Sequence, residues 1–262
     1  LDQAKEILPL IGSKEGIAHF PLAVLNPGDT ALIPDPGYPP YRSGTLFAGG
    51  LPHFMPLLES NDFLPDLSAI PPEVLKKAKL IYLNYPNNPT SAVAPKVFFQ
   101  EVVELAHEHR LLVAQDAAYC EVGYEGYEAP SILEIEGAKE VAVEFHSLSK
   151  TFNMTGWRVG FAVGNSEALA LLAKVKSNVD SGIFQAIQLA AKKALEEGEA
   201  AHQELLKVYQ KRRDILVQGF RAIGWNFTPP KATFYCWIPV PPGYTSAELA
   251  LKFLGEMSIV VT

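Results

Sequence analysis

The sequence predicts an α/β fold built on a mostly parallel central sheet, with part of a small α+β unit at its C-terminal end. Three observations predict it. Short apolar runs alternate with segments of helical period as far as Gly164. Each run closes on a polar residue or a turn signal, as buried parallel strands do. Beyond Asn165 the chain turns helical, and strand-like runs return only after the longest helix.

Taken in order, "EGIAHFPLAVLN" (15–26) reads as a helix stopped by Pro27-Gly28-Asp29. "TALIPD" (30–35) is a buried strand, and "PDPGYPPY" (34–41) after it is a proline-rich turn. "AKLIYLNYP" (78–86) is the next strand. "PKVFFQEVVELAHEHR" (95–110) has apolar residues at helical spacing and a proline near its start. The runs "RLLVAQD" (110–116), "VAVEFHS" (141–147) and "RVGFAVG" (158–164) complete the predicted sheet. Helices are expected over 166–176, 182–196 and 198–222. "ATFYCWIPVP" (232–241) is expected as a strand, 246–256 as a helix, and "SIVVT" (258–262) as the middle of a further strand. Residues 1–205 are expected to form a large domain whose N-terminal part precedes Leu1. Residues 206–262 would begin a smaller one, with the 198–222 helix as the link.

Composition narrows the function classes. Of 262 residues, 48% are hydrophobic and 19% charged, which is ample material for a core. The net charge of −7 and the lack of a basic block argue against a nucleic-acid partner; "KVYQKRRD" (207–214) reads as one charged helix face. No apolar run approaches the ~18 residues of a membrane span. Cys120 and Cys236 lie among apolar or aromatic residues and read as reduced core thiols of a cytoplasmic protein. The six histidines show no metal-ligand spacing: His107 and His109 read as solvated, His19 and His146 as packed or capping. Tyr124 and Tyr127 read as structural.

In parallel sheets, ligands sit beyond the C-terminal ends of the strands. Asp35, Asn88, Asp116, Ser147 and Lys150 stand at the ends of four such strands. Each also has an ordinary reading. Lys150 is either a solvated surface lysine or an amine desolvated at a strand end, whose lowered pKa suits Schiff-base chemistry. Asp116 either caps a turn or faces a cationic ring nitrogen. Asn88, within "NYPNNPT", is either a turn former or a polar ligand. Arg158 fits a plain ion pair as well as an anion site. "IGSKEGIAHF" (11–20) opens a helix with small residues, and so offers backbone N–H groups to an anion.

Together, "YPNNPT", "DAAY" (116–119), "SLSK" (147–150) and Arg158, in that order and spacing, resemble the fold-type I pyridoxal-phosphate aminotransferases of class I and II. The resemblance covers essentially the whole chain and implies a three-layer fold around pyridoxal 5′-phosphate. Carried over by position, Lys150 resembles the lysine that holds the cofactor as a Schiff base and later shuttles the substrate proton. Asp116 resembles the partner of the ring nitrogen. Tyr119 and Asn88 resemble donors to the ring's phenolate oxygen. Arg158, Ser147, Ser13 and Lys14 resemble phosphate ligands, and Tyr38 the aromatic that stacks on the ring. No metal is implied.

The implied reaction is ping-pong transamination between an amino acid and a 2-oxo acid, in a homodimer with shared active sites to which 177–185 contributes. The family's substrate-carboxylate arginine is expected beyond Thr262, and the residues that close over substrate before Leu1. "IGSKEGIAH", "PDPGYPPY", "SLSKTFNMTGWRVGF" and "NVDSGIFQAIQ" are most similar to the bacterial LL-diaminopimelate aminotransferases. Aspartate- and alanine-type enzymes share most of these phrases. A cystathionine β-lyase-like enzyme would release pyruvate without an amino acceptor, and a cofactor-sensing regulator would carry a helix-turn-helix region ahead of this domain.

Overall fold

The computed structural model describes residues 1–261. Seven strands form one sheet: β1 (Ile7–Leu10), β2 (Thr30–Asp35), β3 (Leu51–Pro56), β4 (Ala78–Leu83), β5 (Leu112–Asp116), β6 (Ala142–Ser147) and β7 (Gly160–Gly164). Their spatial order is β1-β7-β6-β5-β4-β2-β3. The run from β3 to β6 is parallel, whereas β7 is antiparallel to both β6 and β1. The helices are α1 (Ser13–Val24), α2 (Pro39–Phe47), α3 (Pro72–Leu75), α4 (Lys96–His109), α5 (Ala138–Val141), α6 (Leu148–Thr151), α7 (Ser166–Val179), α8 (Gln185–Glu197), α9 (Glu199–Ala222) and α10 (Ser246–Met257).

Period-two alternation builds the three layers. Leu32, Ile81, Leu83 and Val113 point to one face, where Phe98, Phe99, Val102 and Val103 of α4 cover them. Ala31, Ile33, Leu80 and Tyr82 point to the other, under Ile17 and Phe20 of α1, Tyr41 of α2 and Leu169 and Leu172 of α7. Both faces are buried, so the strands read as unbroken apolar runs. Phe145 meets Phe20 edge to face, with centroids 5.5 Å apart, and fastens α1 to β6. A third cluster packs Leu148, Met154 and Val159 against Ala191 of α8, so the turn after β6 leans on the C-terminal helices.

Helix α9 is anchored at two points. The Nδ1–H of buried His202 donates to the Thr151 carbonyl at 2.8 Å, one residue past Lys150. Eleven residues on, buried Arg213 donates to the Pro230 carbonyl at 3.1 Å and to Glu125 at 2.6 Å, with its guanidinium over the Tyr124 ring.

Five segments differ from expectation. Pro39–Phe47 is a helix rather than a turn: Pro39 and Pro40 occupy its first turn, where a missing N–H costs nothing. Strands β1 and β3 are edge elements that the sequence reading missed: β1 is only four residues long and contains Pro9, and β3 is largely exposed, with two prolines and a histidine. The expected strand at 232–241 forms no ladder; Ala232 makes a single antiparallel bridge to Gly123. A strand needs a partner edge, and β-rich composition alone does not supply one. Ser258–Val261 is likewise exposed and outside any strand, and Thr262 lies outside the described residues. Among the described residues no helix is long and apolar enough to cross a membrane, and no acidic, histidine or cysteine cluster has metal-site geometry.

Strand β7 passes tightly beneath the start of α1. Gly160 lies opposite Ser147 in the β6–β7 ladder. A Cβ there would stand 2.5 Å from the His146 carbonyl oxygen and 2.9 Å from the Ser13 nitrogen, both backbone atoms that cannot swing away. Gly160→Ala is therefore expected to cost about 1–3 kcal/mol. A lower urea midpoint with an unchanged slope is the measurement that checks it.

Candidate active site

The C-terminal ends of β4, β5 and β6 converge on Asp116. It closes β5, is 5% exposed, and pairs in register with Phe145 of β6. The Tyr41 hydroxyl donates to its Oδ2 at 2.9 Å, and the Ala118 N–H donates to Oδ1 at 3.3 Å. Burial raises the carboxyl pKa to about 6, against the opposing pull of Tyr41, Ala118, His146 and Lys150. Beneath it, the Asn84 side-chain amide donates to the Asp116 carbonyl at 2.7 Å, while the Asn84 Oδ1 accepts from the Asn88 N–H at 2.7 Å. Asn84 thus ties the end of β4 to both neighbouring loops. Asn88 itself is half-buried, and its side-chain amide has no partner among the described residues.

Lys150 lies on the single turn α6 that follows β6. Its amine is half-buried, 6.0 Å from the Tyr119 ring centre and 5.7 Å from that of Phe234. It forms no hydrogen bond or ion pair among the described residues. Burial lowers its pKa, the Arg158 charge lowers it further, and Asp116 opposes both. The Tyr119 hydroxyl meets that of Tyr235 at 2.9 Å. Burial holds the Tyr119 proton firmly.

A cationic and hydroxyl-rich cradle faces this group. Gly12 has φ 73°, a left-handed conformation that places Ser13 at the start of α1. A side chain at position 12 would collide with the Arg158 guanidinium. Arg158 is exposed and left-handed (φ 53°) after the turn Thr155–Trp157, and its Nη1 donates to the Thr155 carbonyl at 2.9 Å. Ser147 is buried at the start of α6, across the ladder from Gly160. Lys14 is exposed, with its amine 5.9 Å from the Tyr38 ring centre. Tyr38 caps α2 edge-on to Tyr41, and its pKa is raised by burial, then by Asp116 and Tyr235, with Arg158 opposing. The cradle is braced from behind: Glu15 accepts from the Ile11 N–H at 3.0 Å and from Lys176 at 3.1 Å, and Lys176 also bonds Asp180 at 2.8 Å.

Contacts therefore link all nine sequence-predicted residues, namely Ser13, Lys14, Tyr38, Asn88, Asp116, Tyr119, Ser147, Lys150 and Arg158, in one region. Asp35 ends β2 exposed, and its carboxylate bonds none of them. Sequence reasoning missed Tyr41, Asn84 and Tyr235. The first two carried a signal: Tyr41 is one helical turn beyond Tyr38, and Asn84 is the first polar residue after β4. Tyr235 carried none, because the segment read as an ordinary strand.

One further reading is corrected. Cys120 and Cys236 are free thiols but half-buried rather than in the core. The Cys120 sulfur lies 3.6 Å from His146 Nδ1, and His146 Nε2 is 3.0 Å from Glu144. Those two partners outweigh burial and raise the His146 pKa to about 10. His146 stacks on Phe161 with centroids 4.9 Å apart, so its packed reading stands.

The residues fit pyridoxal phosphate on chemistry alone. A buried acid suits a ring nitrogen, a half-buried amine without a partner suits an aldehyde, and an arginine, a lysine and two serines around a helix N-terminus suit a phosphate. Comparison with known proteins agrees. The family model for aminotransferase class I and II matches residues 1–262. The LL-diaminopimelate aminotransferase of Moorella thermoacetica is 55% identical over 262 residues, covering 100% of this chain and 67% of that protein. That of Syntrophobacter fumaroxidans is 54% identical, with 100% and 68% covered. Among solved structures, apo-BacF from Bacillus subtilis superposes with a TM-score of 0.94 at 40% identity, over 99% of this chain and 66% of that one. An aminotransferase from Staphylococcus aureus gives 0.94 at 40% identity, over 100% and 69%. This chain thus spans about two thirds of the length of the relatives it matches. Matched along its whole length, the chain belongs to the class I and II aminotransferases, which are pyridoxal-phosphate enzymes.

Proposed function

We propose that the full-length protein is an LL-diaminopimelate aminotransferase of lysine biosynthesis, exchanging an amino group between LL-diaminopimelate and a 2-oxo acid such as 2-oxoglutarate. The observation that carries the reaction type is the pairing of a half-buried, bond-free Lys150 amine with a buried Asp116 at adjacent strand ends. Relatives of that name at 52–55% identity support the substrate.

Bound pyridoxal phosphate supplies an electron sink for the carbanion formed at the substrate α-carbon. The rest is the work of side chains. Asp116 holds the ring nitrogen's proton, with Tyr41 on Oδ2 and the Ala118 N–H on Oδ1 fixing the plane of its carboxylate. Asn88 and Tyr119 would donate to the ring oxygen. Ser13, Lys14, Ser147 and Arg158 would hold the phosphate, and Tyr38 would cover the ring. Lys150 is the amine that would hold the cofactor at its aldehyde carbon and that substrate binding would free. It then takes the α-proton as a general base, and the lowered pKa of its amine leaves more of it unprotonated near neutral pH.

The enzyme works as a homodimer. Phe184 and Leu189, 72% and 61% exposed on and beside α8, give the 177–185 neighbourhood an apolar face for a second copy. Two free cysteines suit a reducing cytoplasm.

Two outcomes check this reading. In the full-length wild type loaded with pyridoxal phosphate, adding LL-diaminopimelate should replace a band near ~420 nm with one near ~330 nm, as transfer through an electron sink requires; Lys150→Ala should lack both the response and turnover. A normal turnover rate in that variant would sink the proposal. The second outcome concerns pH. The folded Asp116 pKa of about 6 lies above its ordinary 3.8. The cofactor-free fold therefore loses stability as pH rises from about 4 to 6, because the unfolded chain gives up this proton first. The difference corresponds to roughly 3 kcal/mol. Asp116→Asn should flatten that part of the unfolding free-energy profile measured in urea between pH 4 and 7.

A further inference from the structure

We infer that Tyr235 sets how strongly the Tyr119 hydroxyl donates to the cofactor's ring oxygen, as the second member of a two-tyrosine relay. This rests on the cofactor reading proposed above and adds a positioning residue to it. The two hydroxyl oxygens are 2.9 Å apart, and the rings meet edge to face at 5.6 Å. A phenol has one proton to give. When Tyr119 spends its proton on the ring oxygen, its own oxygen can only accept, and the group placed to donate to it is Tyr235. A hydroxyl that accepts one hydrogen bond donates the next more strongly.

Tyr235 is held to this task by a closed set of backbone and hydroxyl bonds. The Ser91 hydroxyl donates to the Tyr235 carbonyl at 2.7 Å. The Tyr235 N–H donates to Thr233 Oγ1 at 3.2 Å, and Thr233 Oγ1 donates to Ser91 Oγ at 3.1 Å. Thr233 is fully buried and left-handed at φ 66°, and Ser91 is left-handed at φ 62°. Backbone in that region is held only where its surroundings fix it. The Tyr124 hydroxyl adds a further bond to the Thr233 carbonyl. Ser91 belongs to the loop that bears Asn88. The same knot therefore fixes both expected donors to the ring oxygen, Asn88 through its loop and Tyr119 through Tyr235. On the other side Phe234 closes against Tyr119 at 5.3 Å and against the Lys150 amine.

The test is an absorbance titration of the substrate-free, pyridoxal-phosphate-loaded enzyme. Its visible band changes as the Lys150–cofactor linkage loses its proton. Donors to the ring oxygen favour the deprotonated linkage and lower the midpoint pH. Tyr235→Phe keeps the ring and removes only the relay proton. Its midpoint should rise by about half a pH unit, less than that of Tyr119→Phe. The double variant should match Tyr119→Phe alone, because the relay acts only through Tyr119. An unchanged or lowered midpoint in Tyr235→Phe, or shifts that add in the double variant, would overturn the inference while leaving the cofactor assignment standing. A wild-type protein that never develops a visible band overturns both.

Discussion

A carboxyl group buried at the end of an interior strand is the constraint on which the rest of this site depends. Asp116 is nearly inaccessible, and water cannot solvate its charge. Every neighbouring element answers that cost. Helix α2 delivers the Tyr41 hydroxyl, and the turn after β5 delivers the Ala118 N–H. The end of β4 delivers Asn84 to the same residue's carbonyl. His146 adds positive charge from the adjacent strand. These partners do not cancel the burial, and the acid stays poised near the middle of the pH range. A cationic partner would supply the remaining compensation, which marks the carboxyl as a candidate for chemistry.

The opposite charge is assembled by a different device. The cradle around Arg158 is built from backbone turns that a side chain would block: left-handed Gly12, left-handed Arg158, and β7 running close under Ser13. Reversing the direction of β7 brings Arg158 back beside the strand end that bears Ser147 and Lys150. The cation then sits near enough to the Lys150 amine to disfavour its protonation. The braced Glu15–Lys176–Asp180 group, partly buried behind it, keeps the start of α1 in place.

Much of this was legible in the sequence, for identifiable reasons. Strands β2, β4, β5 and β6 are buried on both faces, and unbroken apolar runs announce that burial. Their polar terminal residues announce the ligand side. Arg158 and Lys150 stood out because charges interrupt such runs. What stayed hidden lacked a local signature. Strands β1 and β3 are edges with mixed exposure. Helix α2 begins with two prolines, which read as a turn until the residues after them pack. The 232–241 segment has strand composition but no edge to pair with. Tyr235 meets Tyr119 only through the fold, 116 residues apart along the chain, and no local spacing records that meeting.

The two anchors of α9 have a consequence of their own. His202 grips the carbonyl beside Lys150, and Arg213 grips Pro230 and the turn at Glu125, just ahead of the Thr233–Tyr235 knot. Between them lie three turns of uninterrupted helix, about 16 Å at the standard rise. The helix is thus a ruler laid between the turn that bears Lys150 and the segment that leads to Tyr235. Its graduations are whole residues. Adding or deleting one between the anchors would turn Arg213 by about 100° and change the span by ~1.5 Å. Length here is not free to drift in steps of one, and the spacing of the two anchored turns inherits that discreteness.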